Sequence, residues 1–312
     1  MVRVGIIMTT HGAGSYLPAA VESVTAQTFT DWALVIVCDG AAGAAGAADR
    51  LAGADPRIQV VRQAPAGVAV ARNRGLDLVG PRVELVAFLD HDDRWLPSTI
   101  ERLERRLSAG SESIVGVHGI GRYIDASGDL YRPGELEKHL RRRLGVEGRR
   151  LVEWPTGRPT GFANLAFSNC ISVGSVLIRR AALDRAGRFD ERAVPADDYD
   201  MWLRLSRLGD FAFIDEVVME YRRGTAPTWS RPPAGLPYTR RKILTASANT
   251  PEQTRQAKHG YRICERWTVA HALSEAARLA RQKRYLAAMR QLARAGLHAG
   301  AYVRGRPGSR HI

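Results

Sequence analysis

Val4-Gly5-Ile6-Ile7-Met8 is a short apolar run bounded by polar residues, and Leu17, Val21 and Val24 follow it at helical spacing with Ser15 placed as a cap. A strand and then a helix are predicted. Asp31-Trp32 leads into Ala33-Leu34-Val35-Ile36-Val37-Cys38, a second apolar run that stops at Asp39-Gly40. The Ala/Gly-rich stretch 41–49 reads as a loop or a loose helix start. Ile58 to Arg62 forms a third strand ahead of a helix from Val68 to Val79. Val83 to Leu89 forms a fourth, ending at Asp90, and Ser98 with Glu101 three positions on makes a capping box for the next helix.

Strands that are apolar throughout are covered on both faces, and their alternation with helices predicts an α/β fold with a mostly parallel, Rossmann-like sheet. Such a sheet binds its ligand beyond the carboxyl ends of its strands. Thr9, Thr10, Asp39, Asp90 and Asp92 all fall at those ends. Further on, strand-like pieces near Ile114–Val117 and Gly174–Ile178 flank a basic, Pro/Gly-punctuated stretch, Tyr131 to Arg158, which reads as an insertion beside the site. A helix from Asp197 runs through Met201, Leu205 and Leu208, and Phe211 to Tyr221 is apolar enough for strands.

The Pro-rich 227–237 reads as a linker, and beyond it 252–281 and 285–299 read as an antiparallel helix pair with Leu286, Met289, Ala293 and Leu297 on one face. The expected division is a large domain over 1–230, with a ligand-binding half at 1–100 and a second half at 101–230, followed by a basic helical extension at 231–312.

The charge of +14 sharpens that division. Residues 240–312 carry 16 Lys/Arg against 3 Asp/Glu, whereas the rest of the chain is almost balanced at 30 against 29. The tail should be drawn to anionic partners, and acidic lipid, an anionic acceptor and nucleic acid all satisfy that physics. No run approaches the roughly 20 apolar residues of a membrane span, and the first residues lack a signal-peptide layout, so a cytoplasmic location is expected. Cys38, Cys170 and Cys264 fit neither a disulfide framework nor a zinc spacing and read as reduced structural thiols.

Asp90-His91-Asp92-Asp93 carries the most chemistry. Alternate carboxylates leaving a strand end face one pocket and together hold a hard cation such as Mg2+ or Mn2+, with phosphates completing the shell; an acidic loop leading to the helix is the plainer account. Asp39 is placed to accept hydrogen bonds from a nucleoside, or to serve as a turn residue. Arg72 reads as a diphosphate or base contact, or as a solvated helix charge. Asp197-Asp198-Tyr199-Asp200 opens a helix, where capping accounts for one acid and a general base for another. Gly12-Ala13-Gly14, with Asp39 about 25 residues on, partly matches a dinucleotide fingerprint, but Leu17 stands where its third small residue belongs and the Asp90 cluster has no task in a dehydrogenase.

Taken in order, these segments resemble glycosyltransferase family 2 over roughly residues 4 to 230. Met8-Thr9-Thr10-His11 is similar to the family's Pro-Thr-Tyr-Asn opening, and Val37-Cys38-Asp39-Gly40-Ala41 to its Val-Asp-Asp-Gly-Ser nucleoside segment. Gly67-Val68-Ala69-Val70-Ala71-Arg72-Asn73-Arg74-Gly75 resembles Gly-x-x-x-Ala-Arg-Asn-x-Gly, and Asp90-His91-Asp92-Asp93 the metal-binding Asp-x-Asp-Asp. Gly187-Arg188-Phe189-Asp190-Glu191 and Asp197-Asp198-Tyr199-Asp200-Met201-Trp202-Leu203-Arg204 resemble Gly-x-Phe-Asp-Glu and Glu-Asp-Tyr-Asp-x-Trp-x-Arg, with Asp197 standing for Glu. The chain departs from the pattern at Met8, His11 and Cys38, and at Gly224, where the family often has a metal-binding His.

The resemblance implies a GT-A fold and an inverting, metal-dependent transfer from a nucleotide-sugar, UDP-linked by preference, to a glycan, lipid-linked or small-molecule acceptor. It implies Thr9 and Asp39 on the nucleoside, Arg72 near the diphosphate, Asp90 and Asp92 on Mg2+ or Mn2+, and Asp198 as catalytic base. Peripheral attachment to an anionic membrane through the tail fits that reading, and no nucleic acid is expected as partner. The competing readings are a catalytically silent nucleotide- or glycan-binding protein of the same fold and an NAD(P)-dependent oxidoreductase.

Overall fold

The computed structural model describes residues 2–11, 15–40, 42–80, 83–131, 143–147, 150–166, 169–194, 196–223 and 250–259, and in the tail 273, 276–277, 279–290 and 292–293. The chain divides into two compact units, Met1–Leu165 with Asn169–Arg241, and Lys242–Ile312 with Ala166–Ser168.

The first unit begins with four strand-and-helix steps: β1 (Val4–Thr10), α1 (Leu17–Thr25), β2 (Trp32–Asp39), α2 (Ala42–Ala54), β3 (Ile58–Gln63), α3 (Val68–Leu78), β4 (Leu85–Asp90), the two-residue β5 (Arg94–Trp95) and α4 (Thr99–Ser108). There follow β6 (Ile114–Ile124), a separate hairpin of β7 (Leu144–Glu147) and β8 (Arg150–Glu153), the single turn α5 (Phe162–Leu165), β9 (Val176–Arg179), α6 (Arg180–Ala186), α7 (Asp197–Leu205) and β10 (Asp210–Arg222).

Eight strands form one sheet in the order β3-β2-β1-β4-β9-β6-β10-β5. The first four are parallel; β9 runs antiparallel to both β4 and β6, β10 is parallel to β6, and β5 closes the edge antiparallel to β10. The chain passes from β1 outward through β2 and β3, then returns to place β4 on β1's other side. That reversal opens a crevice between β1 and β4 at their carboxyl ends, where Thr9 is paired in register with Asp90.

Both faces are covered, as the unbroken apolar runs require. Every residue of β1 is buried. Val4, Ile6 and Met8 pack with Leu17, Val21 and Val24 of α1 and Ile100, Leu103 and Leu107 of α4. On the other face Val35 and Val37 pack with Ala71 of α3. A Cβ on Gly75 of α3 would run into Ile7 Cγ2, so this glycine sets how closely helix and sheet approach.

Of the two readings of the Ala/Gly-rich stretch the helix start holds, and it continues as the full helix α2. Local expectations fail at two helix starts. Ser98 makes no side-chain cap for α4; the Gln27 amide oxygen accepts from Ile100 N–H at 3.0 Å, and Glu101 instead accepts from Thr28 Oγ1 at 2.6 Å. Tyr16, not Ser15, precedes α1, again with no side-chain cap. Of the tail, 251–259 and 285–290 are helical, and Leu286 and Met289, expected on one face, are 80% and 67% exposed; Leu297 and most of 260–278 lie outside the described residues. Among the described residues no helix is long and apolar enough to cross a membrane.

Candidate active site

Asp39 closes β2 beside Gly40, whose backbone is left-handed (φ 67°) and whose Cα hydrogen faces the Pro65 ring, leaving no room for a side chain. The Asp39 carboxylate accepts from Ala66 N–H at 2.7 Å, Gly67 N–H at 2.8 Å and the Gln63 amide at 3.0 Å. It thereby fixes the turn that enters α3. Thr9, next to last in β1, lies 3.4 Å from Asp90 Oδ1 through its hydroxyl, while the buried Thr10 hydroxyl has no hydrogen-bond partner among the described residues.

Arg72 is the centre of the constellation. It is buried on α3, donating to Asp197 Oδ2 at 2.6 Å through one terminal nitrogen and to Asp90 Oδ1 at 3.0 Å through the other. Burial works against its charge, but Asp197, Asp90 and Asp198 together hold the guanidinium charged, above the ordinary arginine range. Three carboxylates from two distant segments therefore gather around one cation. The solvated-charge account of Arg72 is excluded by its burial.

Asp198 lies on the first turn of α7, partly exposed, accepting from Tyr199 N–H at 2.6 Å and from the Asn169 amide at 3.3 Å. Desolvation, and then the charge of Asp197, push its carboxyl up to about 7. A carboxylate tuned there releases and takes a proton near neutral pH.

The turn after β4 is held from behind. Asp93 is buried, accepts from Arg222 N–H at 3.0 Å, and is pushed well above the carboxylate range by burial and by Asp92 and Asp90. Arg222 also donates to the Asp92 carbonyl at 3.0 Å. Tyr221 is surrounded by the same group: burial, then Asp93, Asp90 and Asp92, raise its phenol. Glu220 clamps Arg94 and Arg122, and Trp95 Nε1 donates to the Gly174 carbonyl at 2.6 Å, seating the turn on β10. The rings of His11 and His91 meet edge to face at 5.2 Å above it.

Two residues were passed over in the sequence. The Asn73 amide and the Phe189 backbone exchange hydrogen bonds of 3.0 and 2.8 Å, tying α3 to the Gly187–Phe189 segment that leads into α7. Asn169 contacts Asp198 from a stretch with no readable pattern. Cys38 and Cys170 are free and buried, and burial pushes the Cys170 thiol up to about 12, away from reactivity.

Comparison with known proteins places this geometry. A model described as glycosyl transferase family 2 matches residues 5–181. The chain belongs to glycosyltransferase family 2. That stretch contains Thr9, Asp39, Arg72, Asp90 and Asp92, while Asp198 lies beyond it. The EpsH glycosyltransferase of Bacillus subtilis is 32% identical over 111 residues, 35% of this chain and 31% of that protein, so the match spans about a third of the relative's length. Among solved structures, residues 1–349 of TarS from S. aureus in complex with UDP-GlcNAc superpose with a TM-score of 0.64 at 15% identity, over 98% of this chain and 82% of that one. The mannosyltransferase PcManGT of Pyrobaculum calidifontis, in complex with GDP-Man and Mn2+, gives 0.59 at 17% identity over 97% and 79%. These likenesses show a shared GT-A-like fold. Family membership also leaves the NAD(P) oxidoreductase reading without support; Gly12-Ala13-Gly14 lie outside the described residues.

The acidic turn after β4 bears on whether a divalent ion fits here. Among the described residues no three His, Cys, Asp or Glu side chains converge as a ready cation cage. Asp90 and Asp92 nonetheless offer hard oxygen donors at the mouth of the β1/β4 crevice, and Mg2+ characteristically takes one or two carboxylates with substrate phosphates and water. The residues fit an ion held jointly with a diphosphate.

Proposed function

We propose that this glycosyltransferase moves a sugar from a nucleotide-sugar, UDP-linked by preference, onto the hydroxyl of a glycan, lipid-linked or small-molecule acceptor with inversion at the anomeric carbon. The observation that carries the reading is the Arg72 hub, which joins the donor-side Asp90 to Asp197 and sets Asp198 alongside.

In this mechanism Thr9 and Asp39 border the nucleoside at the ends of β1 and β2. Arg72 holds Asp90 in place through its guanidinium, so its influence on the diphosphate is exerted through that carboxylate. Asp90 and Asp92 would hold Mg2+ or Mn2+, which when bound neutralises charge developing on the leaving diphosphate. Asp198 takes the acceptor's hydroxyl proton as that oxygen bonds to the anomeric carbon from the face opposite the diphosphate. The anomeric carbon's bond to the phosphate oxygen breaks, and nucleoside diphosphate leaves with the bonding pair. The TarS and PcManGT complexes, which hold UDP-GlcNAc and GDP-Man with Mn2+, support a nucleotide-sugar donor and a divalent ion.

A panel of UDP- and GDP-sugars with Mn2+, Mg2+ or EDTA, scored by diphosphate release, tests this reading. Release that requires the cation and one nucleotide supports it; tight nucleotide binding with no release under any condition would instead mark a silent binding protein.

A further inference from the structure

Residues 285–290 and 292–293 of the second unit are helical, and their large apolar side chains are exposed. Among its described residues the small Ala288 is buried, whereas Tyr285, Leu286, Met289 and Leu292 are 63%, 80%, 67% and 50% exposed. Spaced i, i+1, i+4 and i+7, the four large side chains form one stripe. Large apolar groups gathered on an exposed face mark an interaction surface, whereas single exposed ones need no explanation.

The charge beside the stripe selects the partner. The turn leading into the helix presents Arg281, Lys283 and Arg284, all exposed, and Arg290 follows at the stripe's edge. Residues 240–312 as a whole carry 16 Lys/Arg against 3 Asp/Glu. A second copy would meet this face with the same sign of charge, which opposes self-association. A bilayer surface of anionic lipid supplies both what the stripe needs and what the cations need: an acyl boundary for Leu286, Met289 and Leu292, a headgroup level that suits Tyr285, and negative potential.

We propose that Tyr285, Leu286, Met289 and Leu292, with the basic turn 281–284, dock this protein peripherally on anionic membrane. The inference is independent of the chemistry assigned to the acidic turn.

The test is co-sedimentation of the full chain with vesicles of phosphatidylcholine alone or mixed with phosphatidylglycerol. The parent should bind only the mixed vesicles, and less in high salt. Leu286→Asp/Met289→Asp should weaken binding about tenfold or more, with Leu286→Gln/Met289→Gln as a milder companion should the first fail to fold. Diphosphate release in vesicle-free solution should not change in either variant. Equal binding to neutral vesicles, no binding to either kind, or undiminished binding by a folded variant would overturn the proposal. So would sedimentation velocity showing a parent dimer that these variants dissolve, which would make the stripe a contact between copies.

Discussion

Arg72 and Asp197 form a buried pair separated by 125 positions, and the guanidinium's other arm holds Asp90. Removing the cation leaves Asp197 charged in a site that water does not reach. Arg72→Met is therefore expected to cost about 3–5 kcal/mol of stability, read as a lowered urea midpoint. Arg72→Lys keeps the charge, yet a single ammonium lacks the planar fork needed to hold both acids in this geometry. For Asp198 the sign of the pH effect follows from the role of base proposed for it. A base must be deprotonated, and its carboxyl is raised to about 7, so the transfer rate should fall about tenfold per unit below pH 7 and level off above it. Asp198→Asn should lower transfer by roughly 10²–10⁴-fold while leaving nucleotide affinity near the parent's, a split seen by comparing turnover with calorimetric binding. Residues 39, 72, 90, 92 and 198 stood out in the sequence as motif matches. That Arg72 serves carboxylates was not, since no local pattern reports on an acid so far along the chain.

At the level of elements, β1 to β4 were legible because strands buried on both faces are apolar at every position, which no solvent-facing strand matches. Helix starts were less so. The Ser98/Glu101 pair has the right letters, but Gln27, 73 residues from Ile100, reaches the free N–H groups first. β6 runs on to Ile124, through a Gly-rich stretch that weakens any strand reading; at Gly119 a Cβ would lie 2.8 Å from Val218 of β10, so its absence lets the two strands close. The same logic applies where α3 meets β1. Gly75→Ala should push the helix from Ile7 and destabilise the fold by about 1–3 kcal/mol, measured by thermal or chemical unfolding, with Asp90, Asp92 and Asp198 untouched in sequence.

On the scale of the whole molecule, charge asymmetry and strand-helix alternation were both readable from the chain, whereas the placement of β9 was not. Four residues, Val176–Arg179, decide how the two halves of the sheet are joined, and nothing local specifies that they run antiparallel between β4 and β6. The absence of a ready three-ligand cage among the described residues also has a global readout. Mn2+ alone should move the unfolding temperature little, while Mn2+ with nucleoside diphosphate should raise it by an amount that grows with ligand concentration, as binding linkage requires. A large shift with Mn2+ alone, seen by calorimetry, would count against joint coordination.

The late arrival of β9 bears on biosynthesis. On a ribosome β4 is made by residue 90, but its partner on that side ends at residue 179. At about 5–20 residues per second the open flank of β4 waits roughly 4–18 s for its neighbour. Leu85, Val86 and Ala87 are the positions β9 will cover. During that interval the nascent protein carries an unpaired, oily strand border, the kind of surface to which chaperones and other unfinished chains adhere.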